Sequence, residues 1–300
     1  MIAAPDMSPL AERYLDVCLH GLSRVRPLRV ERARRADRDG WNFSPGRPPS
    51  LSGFGRLRAL LTLERARSLQ PARVLEVAAG DGALSAALAA LGAEAWVNDL
   101  RSEHLDDALE CFENEGQLNR APGDLFALEP ERLGRFDLVA ACEVLEHVAH
   151  PERLLAHLAR FLSPGGALLV TTPNGRHLRN RLPTLGEVSR RSELEARQFQ
   201  PDADGHLFLI TPAELVQIAS EAGLVVERLE LFGSPAITGH LGLRHVARVL
   251  PISWCLALEQ VATRGFLRER LGFGILAVLK RAPACEDLTS GRARRQGSCS

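Results

Sequence analysis

Residues 74–85 read VLEVAAGDGALS. The run opens apolar, carries one acid at Glu76, and breaks on Gly80 and Gly82 before an Ala/Leu stretch begins. A short apolar run that stops on glycines reads as a buried parallel strand, a turn and a helix start. Gly80 and Gly82 allow a sharp turn and close approach of the backbone to a ligand. The helix start offers free N–H groups. The pattern is not GxGxxG and no GK[ST] follows, so a phosphate cradle has little support. Glu76, inside the strand just before the turn, would repel a pyrophosphate. A carboxylate there suits a cationic, phosphate-free ligand.

Outward from this loop the same alternation repeats. Residues 82–92, GALSAALAALG, read as a helix stopped by Gly92. Residues 94–100, EAWVNDL, read as a second strand, and residues 104–116, HLDDALECFENEG, as a helix. FDLVAACEVL from Phe136 reads as a strand running into a helix. PERLLAHLARFLSPGG from Pro151 reads as an amphipathic helix closed by Pro and Gly, and ALLVTTPN from Ala167 as a strand. A polar, arginine-rich stretch spans Gly175 to Gly205; a loop of that length usually serves function or motion. A helix with Thr211 and Pro212 at its start follows, then strands LVVERLELF and FGILAVLK. Strands alternating with helices imply an α/β protein with a parallel sheet covered on both faces. In such sheets ligands bind at the carboxyl ends of the strands, near the switch point.

That rule directs attention to the acids at the strand ends. Asp99 closes the second strand, where a carboxylate can accept both hydroxyls of a ribose. Asp124, in APGDLFAL, is placed to accept from an adenine amino group, with Leu125 and Phe126 against the ring. Its other reading is a cap or turn residue.

Five segments in order carry a resemblance: VLEVAAGDG, the Asp99 strand end, GDLFAL, FDLVAACEVLEHV and LSPGGALLVTTPN. Together they resemble the successive motifs of the class I S-adenosylmethionine-dependent methyltransferases. HLFLITPAELVQIASEAGLVV resembles that family's usual end, before antiparallel last strands. The resemblance runs from about Arg56 to Arg281. It departs from the family at Ala78, where the first loop glycine belongs. It implies a seven-stranded, mostly parallel Rossmann-like sheet flanked by helices. It also implies that Glu76, Ala78, Gly80 and Gly82 line the methionine part of the cofactor, with Asp99 at the ribose and Asp124 and Leu125 at the adenine. Glu143 then falls near the sulfonium, among the cofactor-binding and catalytic candidates. The domain layout expected is a helical N-terminal extension over 1–53, a methyltransferase domain over 54–283 and a disordered tail over 284–300. A helical insertion at 233–271 divides the last two strands.

Methyl transfer uses an electrophile that is already activated, so the protein mainly positions the acceptor and handles a proton. In CEVLEHVAHP, Glu143, Glu146, His147 and His150 fall at i, i+3, i+4 and i+7, one face of a helix. In one reading Glu146 and His147 make local hydrogen bonds and shape the acceptor wall. In the other, Glu143, Glu146, His147 and His206 bind a divalent cation: Mg, Mn or Zn. The second follows from resemblance to the ubiquinone-biosynthesis O-methyltransferases and the small-RNA 2′-O-methyltransferases, where a downstream histidine matches GHLFLIT. His147 as a general base toward a hydroxyl is a third assignment. Cys142 reads as packing at a strand end. Trp41 and Phe43 read as a cover for the site or as core. The insertion's apolar residues read as core, acceptor wall, dimer surface or shallow membrane contact.

Composition narrows the acceptor. Formal net charge is +0, from 37 basic and 37 acidic residues, and aromatics make up 5%. That balance argues against nucleic acid and for methyl transfer by in-line displacement to a hydroxyl oxygen of a small molecule, with an RNA 2′-O-methyltransferase or a non-catalytic S-adenosylmethionine-binding protein as the alternatives. The arginines between Arg24 and Arg38, diluted by Glu31, Asp37 and Asp39, read as a solvated face, with a phosphate-binding surface as the alternative. Cys18, Cys111, Cys142, Cys255, Cys285 and Cys299 form no CxxC pair, and the N-terminus resembles no signal peptide. A cytoplasmic protein without a transmembrane segment, and with a homodimer as an option, is the expectation.

Overall fold

Successive residues of a strand bury on opposite faces, and in this chain both faces find helices. The computed structural model describes residues 54–80, 82–102, 105, 118–198, 205–235, 259, 261–263 and 267–282. Helix α1 (Phe54–Ser68) leads into β1 (Arg73–Val77), α2 (Ala83–Ala90), β2 (Glu94–Val97) and β3 (Leu118–Arg120). Then come α3 (Pro130–Leu133), β4 (Phe136–Cys142), α4 (Pro151–Ala159), β5 (Leu162–Pro173) and α5 (Arg191–Glu195). The chain continues through α6 (Pro212–Glu221), β6 (Leu224–Phe232), α7 (Arg268–Leu271) and β7 (Gly274–Arg281).

The seven strands order as β3-β2-β1-β4-β5-β7-β6. β3 through β5 run parallel, and β7 is antiparallel to both β5 and β6. This is the sheet the resemblance implied. Strand order reverses direction between β1 and β4, so the switch point lies where their carboxyl ends meet. On one face Leu75, Val77, Val139, Ala141 and Val170 pack against Leu154, Leu155 and Leu158 of α4 and Leu215 and Ile218 of α6. On the other, Val74, Leu138, Ala140 and Leu169 pack against Leu57 and Leu63 of α1 and Leu84 and Leu88 of α2. Burial of each such leucine contributes roughly 1.5–3 kcal/mol.

Two segments differ from the expectation. α4 ends at Ala159, and Pro164, Gly165 and Gly166 belong to the start of β5. The reason is a close backbone approach: a Cβ on Gly166 would stand 2.9 Å from the Phe136 carbonyl oxygen. The polar stretch after Gly175 is not structureless. It holds a 3-10 turn at Leu185–Glu187, helix α5, and isolated bridges from Asn174 to Ile210 and from Thr184 to Leu209. The N-terminal extension with Trp41 and Phe43, most of the 104–116 helix, the core of the insertion (236–258) and the tail lie outside the described residues. Among the described residues no helix is long and apolar enough to cross a membrane.

Candidate active site

Three residues of the loop after β1 share the left-handed region: Ala78 at φ 49, Gly80 at φ 57 and Gly82 at φ 64. Glycine takes this conformation freely, while alanine does so under strain. The loop's N–H groups are used internally. Ala79 donates to the Asn98 carbonyl at 2.8 Å and Gly82 to the Ala79 carbonyl at 2.9 Å. Gly80 donates to Asp99 Oδ2 at 3.0 Å. Glu76 is buried, and its Oε2 accepts from Ser85 N at 3.0 Å and Ser85 Oγ at 2.7 Å. A carboxylate from β1 thus takes up a free donor of the first turn of α2.

Asp99 lies two residues beyond the end of β2, with its other oxygen accepting from Arg101 N at 2.9 Å. Its position depends on Asn98, which the sequence reading passed over. The Asn98 side-chain amide donates to the carbonyls of Ala121 and Gly123 at 2.7 and 2.9 Å, joining the loops after β2 and β3. Asn at a strand end leaves no period or spacing signal, which is why it went unread. Asp124 caps a 3-10 turn, accepting from Phe126 N at 2.9 Å, so the turn role is occupied. Leu125 faces the core, and its carbonyl oxygen lies 2.9 Å from His157 Nε2.

The EVLEH segment is not one helix face. Glu143 is left-handed at φ 57, only Leu145–His147 form a 3-10 turn, and α4 begins at Pro151. The residue before a proline is pushed to extended backbone. His150, at φ −125, ψ 72, breaks the helix there. His150 turns away from the site to Glu152 and Glu195, at 3.1 and 2.8 Å. The structure gathers a smaller set. One ligand atom each of Glu146, His147 and His206 lies within 4.8 Å of the others. The His147 and His206 rings meet edge to face at 4.9 Å between centroids. Leu207 N donates to the Glu146 carbonyl at 2.9 Å, which brings His206 in from the far segment.

Glu146 has no solvent exposure. Its Oε2 accepts from Thr172 Oγ1 at 2.9 Å; Oε1 has no hydrogen-bond partner and lies 3.9 Å from His206 Nε2. Burial pushes this carboxyl well above the ordinary range, and the Glu143 charge adds to the push. Burial holds His206 below the usual imidazole range. Glu143 stands apart from the cluster, paired through Oε2 with Arg58 Nη1 at 2.7 Å. Arg58, from α1, is a second residue that the sequence reading missed. Desolvation, helped by the Glu76 charge, pushes the Cys142 thiol up to about 12, so it is no nucleophile at neutral pH.

A seven-stranded sheet of this order, with a glycine loop after β1 and acids after β1's two neighbours, defines a class I S-adenosylmethionine-dependent methyltransferase. The chain belongs to the methyltransferase-domain family, whose model it matches over residues 52–229. It is similar to the ubiquinone biosynthesis O-methyltransferase of Xanthomonas axonopodis pv. citri (strain 306), at 35% identity over 162 residues, 53% of this chain and 66% of that protein. The enzyme of the same name from Shewanella pealeana (strain ATCC 700345 / ANG-SQ1) is 30% identical over 186 residues, 61% of this chain and 76% of its own length. The chain spans just under two thirds of the Xanthomonas protein. Among solved structures, an S-adenosylmethionine-dependent methyltransferase from Clostridium acetobutylicum ATCC 824 aligns over 74% of this chain and 89% of its own, at 14% identity and a TM-score of 0.48.

The loop fits the family's cofactor. A phosphate would need free N–H groups, and here those of Gly80 and Ser85 already face carboxylates. S-adenosylmethionine carries no phosphate and bears a positive sulfonium, which this acidic lining tolerates.

Proposed function

We propose that this chain transfers the methyl group of S-adenosylmethionine to a hydroxyl oxygen of a small molecule, of the kind methylated in ubiquinone biosynthesis. The observation that carries the reading is the buried, unpartnered Oε1 of Glu146, with His206 facing it and His147 beside it, at the carboxyl end of β4. A buried acceptor without a donor is costly unless a ligand completes it. Glu146, His147 and His206 would hold a divalent cation: Mg, Mn or Zn. Carboxylate with imidazole suits that class. Bound there, a cation would lower the acceptor hydroxyl's pKa and fix its oxygen.

Each residue then has a defined task. Glu76, Ala78, Gly80 and Gly82 line the methionine end, with Asp99 at the ribose and Asp124 and Leu125 at the adenine. Thr172 orients Glu146 through its hydrogen bond. The hydroxyl proton passes to solvent as its oxygen attacks the methyl carbon. The carbon–sulfur bond breaks in line, and the cofactor departs as the neutral thioether.

The test is transfer of a labelled methyl group to a panel of phenols and catechols. We expect a base-stable methyl ether, and chelation or Glu146→Ala should reduce its formation at least about tenfold. Failure of the cofactor to bind at micromolar levels would sink the reading. Activity that survives chelation but falls in His147→Ala assigns the proton to His147 without a cation.

A further inference from the structure

We propose that Asn174 is the positioning residue of the acceptor side: it binds the loop after β5 and the returning end of the insertion into one surface. The inference rests on the hydroxyl-transfer reading above and names the segments that hold the acceptor. Topology divides the carboxyl edge of the sheet. The residues assigned to the cofactor, Gly80, Asp99 and Asp124, follow β1, β2 and β3. β5 ends on the same edge, with Pro173 opposite Gly274, the first residue of β7. Phe232, the last residue of β6, also stands opposite Gly274. The insertion therefore leaves β6 and enters β7 at the edge where ligands bind. Asn174 lies there too, two residues after Thr172, whose hydroxyl holds Glu146.

Asn174 is buried at the seam between these segments. Its Nδ2 donates to the carbonyls of Glu269 at 2.7 Å and Gly272 at 2.8 Å. Its Oδ1 accepts from Arg176 N at 2.9 Å, and its own N–H donates to the Phe273 carbonyl at 2.8 Å. Both amide hydrogens of the side chain thus go to the insertion, while the oxygen turns the loop. Without the amide, the Gly272 carbonyl would lose its donor in a buried place. The next residue adds a third segment. Gly175 N donates to the Ile210 carbonyl at 2.9 Å, on the stretch that carries His206. Closer to solvent, Leu178 N donates to the Arg270 carbonyl at 3.0 Å, and Arg176 pairs with Glu269 at 3.5 Å. That ion pair is exposed and therefore weak. The His177 ring meets Phe273 edge to face at 5.2 Å between centroids.

Asn98 is its counterpart on the cofactor side. It too is buried, and its amide donates to the carbonyls of Ala121 and Gly123. Each asparagine follows a parallel strand and ties its own loop to another segment on the same edge. Asn98 joins the loops that carry Asp99 and Asp124, whereas Asn174 joins the loop after β5 to α7. Two such residues on two halves of one edge imply a crossed pattern of defects. General loss of stability does not produce that pattern.

The experiment compares wild type with Asn174→Asp and Asn98→Asp, each first checked for a cooperative melt. Aspartate keeps the size of the side chain but sets an oxygen against two carbonyls. Asn174→Ser or Asn98→Ser takes the place of a variant that loses its cooperative melt. The readouts are S-adenosylhomocysteine affinity by calorimetry, hydrogen exchange by segment, and KM and kcat for the phenol or catechol that wild type methylates fastest. We expect Asn174→Asp to raise the acceptor KM by on the order of tenfold, with kcat less affected and S-adenosylhomocysteine affinity within about twofold of wild type. Exchange should quicken over 175–182 and 268–273 together and stay at the wild-type rate over 79–86. Asn98→Asp should do the reverse, weakening S-adenosylhomocysteine and sparing the acceptor KM at saturating cofactor. Equal defects in the two variants, or lost S-adenosylhomocysteine affinity in Asn174→Asp, would mean that Asn174 only supports the fold, and overturn the inference. An unchanged acceptor KM, or quicker exchange in one of the two segments alone, also overturns it. If wild type methylates none of the phenols and catechols, the hydroxyl-transfer reading fails. S-adenosylhomocysteine affinity and exchange then still decide, by the same criteria, whether Asn174 makes the two segments one surface.

Discussion

Ala78 stands in the left-handed region at φ 49, where the family's pattern has glycine. An L-residue there costs about 1–2 kcal/mol, because Cβ crowds the following carbonyl. Glycine would remove that strain but return about 0.4–1 kcal/mol of chain entropy to the unfolded state. The difference leaves Ala78→Gly more stable by about 0–1.6 kcal/mol. Chemical denaturation should show a raised midpoint with an unchanged slope, and a lowered midpoint would refute the strain argument. Glu76 makes the companion case for what one residue reveals. Its acidity was legible as an argument against phosphate. Its capping of Ser85 was not, because the acceptor and donor stand 9 residues apart across a turn. Arg58 was hidden for the same reason on a larger scale: nothing in a helix sequence announces that one arginine will meet a residue after a strand 85 positions later.

At the scale of elements, apolar runs were sufficient signals. β4, FDLVAAC, is buried from Leu138 to Ala141 because both faces are covered, so it reads as a continuous run. Periodicity misled at Glu143–His150, where helical spacing was present but the left-handed Glu143 and the proline at 151 prevented a helix. His206 could be read as a partner only through resemblance, since short bridges, not a regular element, deliver it. The capping box of α6 was partly legible from Thr211 and Pro212. There Thr211 Oγ1 accepts from Glu214 N at 3.2 Å, and Glu214 Oε2 accepts from Thr211 N at 2.7 Å. Thr211→Ala should lower stability by about 1 kcal/mol, the usual worth of such a cap. Because Leu207 N–H and the Glu146 carbonyl hold His206 independently of that cap, Mn²⁺ affinity should stay at the wild-type value. A large loss of affinity in a stable Thr211→Ala protein would show that α6 sets the ligand geometry.

For the molecule as a whole, the candidate site opposes stability. Glu146 and Glu259 are both buried carboxyls held above the ordinary range, chiefly by burial. In the unfolded chain a glutamate releases its proton near pH 4.3, an approximate reference value. The folded protein keeps the proton to higher pH. Above the unfolded value the folded state therefore binds more protons, and stability falls as pH rises towards the folded value. Glu146→Gln removes one of these contributions while keeping an oxygen for Thr172 Oγ1. The variant should match wild type near about pH 4 and melt progressively higher than wild type as pH rises to about 8. The residual slope then belongs in part to Glu259, which accepts from the N–H groups of Gly233 and Ser234. Mn²⁺ should act in the opposite direction on wild type alone. It binds the ionised carboxylate, so its stabilisation grows with pH, to about 2.7 kcal/mol at a hundredfold excess over Kd. Thermal melts across that range, with and without Mn²⁺, separate the two effects. A Glu146→Gln protein that still gains stability from Mn²⁺ would place the cation elsewhere. Parallel pH profiles for the two proteins would mean that the Glu146 carboxyl is not held neutral by the fold.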